Sequence, residues 1–124
     1  MKRRNHPLTP LELEIMKVLW EAGPAAVQSV QEKLPGEPLA YTTVQTMLNV
    51  LLEKGKVKRT LKNRAYIYRP ALSRVEAVGH TMKDLIDRMF GGSAEALVMG
   101  LVETRQLSSA KLDELRRKLE ERGQ

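Results

Sequence analysis

Apolar residues recur along this chain with two different periods, and each change of period marks a new element. Leu11, Ile15, Val18 and Leu19 lie on one side of a 3.6-residue spiral with Trp20 near its end, which predicts a first helix. Thr9-Pro10-Leu11-Glu12 before that stripe is a capping box, with Thr9 as N-cap, Pro10 at the first helical position and Glu12 reaching back. Leu8 and Leu13 stand at the positions of a hydrophobic staple, and Gly23-Pro24 ends the helix at about Ala22. A short second helix is expected from about Ala26 to Leu34, with Val27, Val30 and Leu34 inward, broken by Pro35-Gly36-Glu37-Pro38. A third opens near Tyr41 or Thr42, turns Val44, Met47, Leu48 and Leu51 inward, and closes at Lys54-Gly55, where glycine takes the left-handed position. The period then drops to two. Val57 to Leu61 and Ala65 to Arg69 read as strands around Lys62-Asn63-Arg64, a hairpin ended by Pro70.

Beyond Pro70 the helical period returns. Ser73-Arg74-Val75-Glu76 is a second capping box, followed by Val75, Val78, Met82, Leu85, Ile86 and Met89 up to the break at Phe90-Gly91-Gly92. A fifth helix is expected from about Ala94 to Glu103 with Leu97, Val98, Leu101 and Val102. A sixth starts after Ser108 or Ser109 and carries Leu112, Leu115 and Leu119. The fold class is therefore mostly α with a small antiparallel β wing. Three helices and a ribbon are the order of a winged helix-turn-helix, assigned to residues 1–72. Three short helices over 73–124 bury little apolar surface alone, so that segment is assigned as a helical homodimerisation domain.

The polar side of the third helix carries the chemistry. Thr42, Gln45, Thr46 and Asn49 are short, neutral and able to donate and accept hydrogen bonds, where a face shaped only by solubility carries charge. Such a face suits the floor of a DNA major groove, and Gln45 and Asn49 have the geometry for bidentate contact with adenine. From Lys54 to Arg74 there are eight Lys or Arg and no Asp or Glu. Within that run Lys56, Lys58, Arg59, Lys62, Arg64 and Arg69 make the hairpin a candidate for phosphate contact. The net charge of +6 is placed unevenly: residues 1–74 hold thirteen basic and six acidic side chains, residues 75–124 eight and nine. The first part is built to meet a polyanion, double-stranded DNA, and the second to meet protein. Lys2, Arg3 and Arg4 read as a disordered arm that adds non-specific attraction.

Other chemistries are disfavoured. With no cysteine there are no disulfides, thiolate metal sites or thiol nucleophiles. His6 and His80 are far apart with no second histidine or cysteine in helical reach of either, so no metal or other cofactor is expected. The serines stand at helix starts, where capping explains them, and the carboxylates are expected on helix faces among Lys and Arg, so no enzyme is expected. MKRRNHPL lacks a hydrophobic signal core and no apolar run reaches about 18 residues, which predicts a cytoplasmic protein without membrane insertion. Tyr66 and Tyr68 share one side of their strand, so at least one is expected to pack on the helices; Trp20 is expected in the core or at a domain interface. Two other readings compete with this one. A winged-helix protein-interaction module predicts acids on the wing or an apolar reading face, and neither is present. A small-molecule-responsive repressor predicts a pocket, with Met82, Met89 and Met99 as adaptable lining.

The chain resembles the penicillinase-repressor (BlaI/MecI) family of bacterial regulators over nearly its whole length. The resemblance is carried by LTPLELEIMKVLWEAGPA at Leu8–Ala25, YTTVQTMLNVLLEKG at Tyr41–Gly55, NRAYIYRPALS at Asn63–Ser73, and FGGSAEALVMGLVETRQLSSAKLDELRRKLEE at Phe90–Glu121. It implies a homodimeric winged-helix repressor on a dyad-symmetric operator, commonly of β-lactam-resistance genes, and relief by a membrane sensor protease that cuts the dimerisation region. On this chain the family's DNA contacts fall at Thr42, Thr43, Thr46 and the wing around Arg64, and its dimer contacts on the three C-terminal helices. Where relatives often carry Arg in the reading helix this chain has Val50, so a contact there is absent or supplied by Lys54. Where well-known members offer an Asn-Phe bond to the protease, this chain has Gly100-Leu101. A branch that senses copper through C-terminal cysteines is excluded.

Overall fold

The computed structural model describes residues 7–123; the basic residues Lys2, Arg3 and Arg4 and the imidazole of His6 lie outside the described residues. In chain order the elements are α1 (Pro10–Ala22), α2 (Val27–Lys33), α3 (Tyr41–Glu53), β1 (Val57–Lys62), β2 (Ala65–Pro70), α4 (Arg74–Met89), α5 (Ala94–Glu103) and α6 (Ser109–Glu121). The described chain is mostly helical with one two-stranded antiparallel sheet. It divides into two compact units between Met82 and Lys83, inside α4.

The first unit is built on the caps and stripes of the sequence. The Thr9 hydroxyl accepts from the Glu12 amide at 3.3 Å and the Thr9 amide donates to Glu12 Oε1 at 2.9 Å, so the capping box forms in both directions. Ile15, Met16 and Leu19 of α1, Val30 of α2, and Val44, Leu48 and Leu51 of α3 form the buried core, closed by Val57 and Tyr68 of the hairpin. The first half of α4 belongs to this unit and buries Ala77 in it. Trp20 is held there as well, its indole Nε1 donating to the Leu72 carbonyl at 2.9 Å and its ring lying under the Arg74 guanidinium.

One pairing has no counterpart in the sequence reading. Ala25, between α1 and α2, donates to the Tyr68 carbonyl at 2.9 Å and accepts from the Tyr68 amide at 2.8 Å. A single extended residue thus closes the outer edge of β2.

The second unit holds the end of α4 with α5 and α6, whose N-caps Ser93 and Ser108 accept from the Ala96 and Lys111 amides. Neither α5 nor α6 has a fully buried residue. Gly100 sits against the Phe90 ring, where an added Cβ would stand 3.3 Å from a ring carbon. Among the described residues no helix is long and apolar enough to cross a membrane.

Candidate nucleic-acid interface

Burying Val44, Leu48 and Leu51 fixes the rotation of α3, and the 3.6-residue spiral then turns Thr42, Thr43, Gln45, Thr46 and Asn49 outward, all exposed. No side chain caps the start of α3, where Ala40 is the N-cap. Thr42, Gln45 and Thr46 make no side-chain hydrogen bond within the described chain and are free to meet an external partner.

The exit of α3 is anchored differently. Lys54, the C-cap residue, places Nζ 2.6 Å from Glu12 Oε2. Glu12 is only 1% exposed and serves two masters with its two oxygens, Oε1 for the Thr9 amide and Oε2 for Lys54. Burial alone would raise its pKa, but the Lys54 ammonium and the Thr9 hydrogen bonds outweigh it and hold the carboxyl below its ordinary value. Lys56 is likewise buried, and burial pushes its amine down against the opposing pull of Glu12. Lys54 and Lys56, which the sequence alone places among the DNA-facing cations, differ from that expectation: Lys56 is turned inside and Lys54 is paired with a buried acid. Glu12 keeps the capping role expected of it and adds a buried contact with a lysine.

The wing has two unlike sides. Register pairs Arg59 with Tyr68 and Leu61 with Tyr66, so these four share the side facing α3, while Lys58, Thr60, Lys62, Ile67 and Arg69 take the other. Of the two tyrosines, Tyr68 is buried and Tyr66 is 43% exposed with the Arg59 guanidinium 3.8 Å from its ring centroid. Arg59 Nη1 donates to Asn49 Oδ1 at 3.3 Å, and the Tyr68 hydroxyl donates to the same oxygen at 3.4 Å. On the far side Arg69 Nη1 donates to Thr60 Oγ1 at 2.9 Å. The tip is a two-residue turn with Asn63 at φ 52° and Arg64 at φ 68°. Asn tolerates that left-handed region; Arg does so at a cost of about 1 kcal/mol, and the turn thereby projects Arg64 from the end of the wing.

Of the apolar residues assigned to dimerisation, Val75, Val78, Met82, Leu85, Met89, Leu115 and Leu119 are exposed, and Ile86, Leu97, Val98, Leu101 and Leu112 are half-buried. The Gly100-Leu101 bond lies inside α5. Of the three methionines offered as pocket lining, Met82 lines an apolar groove of about 330 Å³ with Leu8, Leu13 and Trp20, while Met89 and Met99 are exposed. His80 borders a separate cleft of about 490 Å³ with Lys58 and Glu76. Among the described residues no cluster of three His, Cys, Asp or Glu side chains is placed to hold a metal ion.

Comparison with known proteins agrees with this geometry. The family described as Penicillinase repressor matches residues 8–121. Transcriptional regulator BlaI of Mycobacterium tuberculosis is 37% identical over 117 residues, covering 92% of this chain and 83% of the relative. The Penicillinase repressor of Bacillus licheniformis is 28% identical over 115 residues, covering 92% and 90%. Among solved structures, the homodimeric winged helix-turn-helix DNA-binding domain Mb0332 from Mycobacterium bovis superposes with a TM-score of 0.50 at 21% identity, over 68% of this chain and 75% of that one, a likeness of fold.

Proposed function

The chain belongs to the penicillinase repressor family, and we propose that it works as a homodimer on a dyad-symmetric operator, each subunit laying α3 in a major groove. It is a winged-helix DNA-binding transcriptional repressor and not an enzyme. The observation that carries the proposal is the exposed, uncharged face of Thr42, Thr43, Gln45 and Thr46 beside a wing whose tip and far side carry Lys58, Lys62, Arg64 and Arg69. The neutral face supplies base discrimination, and the cations supply affinity through counterion release. Its site of action is the cytoplasm, and its targets are genes for β-lactam resistance, the class its relatives' names point to, or for the response to cell-envelope stress.

The dimer forms through the exposed apolar residues of residues 73–124, and holding two subunits together makes the second half-site contact effectively intramolecular. Proteolysis in the dimerisation region by a membrane sensor protease would relieve repression by removing that advantage. Because Gly100-Leu101 is helical, α5 has to unwind locally before a protease can bind the bond in extended form.

The test is binding to a duplex spanning the promoter of its own gene against a scrambled duplex, across a salt series. Two subunits per site and at least about a thousandfold preference support the reading. Equal binding to both duplexes with one steep salt slope overturns it, and a 1–72 fragment that binds the full operator as tightly as the intact chain overturns the dimer.

A further inference from the structure

Asn49 stands apart from the other polar residues of the exposed α3 face. Thr42, Gln45 and Thr46 have no partner among the described residues, whereas the Asn49 side-chain carbonyl accepts from both Arg59 Nη1 and the Tyr68 hydroxyl, at 3.3 and 3.4 Å. Arg59 Nη1 also donates to the Tyr68 oxygen at 3.4 Å, which closes a triangle between α3, β1 and β2. Its guanidinium lies over the Tyr66 ring at 3.8 Å, fixing it from a third direction. Each hydrogen bond is long and weak alone, but together they set both the angle of the wing and the aim of Arg59.

Bidentate reading of adenine needs the Asn carbonyl for the N6 amino group and the Asn amide for N7. Here the carbonyl is already occupied, and releasing it would strip the buried Tyr68 hydroxyl of its acceptor. We propose that Asn49 is a positioning residue rather than a base reader: it latches the reading helix to the wing and holds Arg59 with its remaining N–H groups directed at a phosphate. This rests on the DNA-binding reading above.

Two measurements on the intact chain test it. In the free protein, Asn49→Ala, Tyr68→Phe and the double variant are compared by urea unfolding. Each single change is expected to raise the unfolding equilibrium constant about threefold to tenfold, the worth of one hydrogen bond, and the double variant little more than either. Additive losses overturn the latch. On DNA, the wild type and Asn49→Ala are profiled against promoter half-site duplexes with every base pair changed in turn. Uniform weakening with an unchanged base preference, and a salt slope reduced by about one unit as in Arg59→Ala, is expected. Lost preference at a single base pair in Asn49→Ala overturns the positioning role. A wild type that prefers no duplex over a scrambled one overturns the operator reading instead, and the unfolding cycle still decides the latch.

Discussion

Lys54 and Glu12, 42 residues apart, meet at 2.6 Å and so tie the exit of α3 to the first turn of α1. The two ends of this pair are not equally replaceable. Lys54 is 20% exposed in its side chain and can swing into water, while Glu12 at 2% cannot. Removing the lysine therefore strands a buried carboxylate, whereas removing the acid frees Lys54 to solvent and withdraws an opposing charge only from the buried Lys56. Lys54→Met is expected to cost about 3 kcal/mol and Glu12→Gln about 1–2 kcal/mol, with the double variant well below their sum. Urea unfolding of the three variants checks the order; a costlier Glu12→Gln contradicts it.

The same pair gives stability a pH dependence of known sign. Glu12 in the folded chain has a pKa below its ordinary 4.5, so the unfolded chain binds more protons in the window beneath that value. Its contribution is complete above about pH 4.5 and is lost as pH falls through the folded pKa. Unfolding free energies measured from pH 7 down to pH 3 are expected to drop more steeply for the wild type than for Glu12→Gln. Parallel curves would show that the ion pair contributes nothing.

Burial separates lysines that look alike in sequence. Lys62 and Arg64 are exposed at the wing tip, and each is expected to lower the slope of log affinity against log salt by about 0.9 when changed to alanine. Lys56, 2% exposed, is expected to leave that slope unchanged as Lys56→Met. A salt titration of the three variants on one duplex distinguishes them.

Arg64 at φ 68° sets stability against binding. Arg64→Gly relieves the left-handed strain and is expected to stabilise the chain by about 1 kcal/mol while weakening DNA affinity. Thermal unfolding and duplex binding on the same sample read both; a variant both less stable and equally tight would refute the trade.

Helix limits were legible because local chemistry marks them: Thr9, Ser73, Ser93 and Ser108 each stand where a helix starts, and Gly23, Gly55 and Gly91 where one has ended. The hairpin was legible through its period of two. The site was legible as a face, since a stripe that alternates with Val44, Leu48 and Leu51 has to point outward. Its contacts were not. A glutamate at the third position of a helix reads as a cap, and only tertiary packing brings Lys54 to its other oxygen. One extended residue at Ala25 has no period to detect. Asn49 looks equivalent to Gln45 until Tyr68 folds beneath it, because a long-range hydrogen bond leaves no trace in spacing.

The Ala25 bridge shields one margin of the ribbon and leaves the other, along β1, without a strand partner among the described residues. An unpaired margin is a template for adding another chain, and here it bears Lys58, Arg59 and Lys62. Charges proposed above to meet a nucleic acid are thus also placed to oppose copies of the protein joining margin to margin. Their successive neutralisation is expected to lower solubility alongside affinity, so that the wing sets how concentrated this regulator can become before it precipitates.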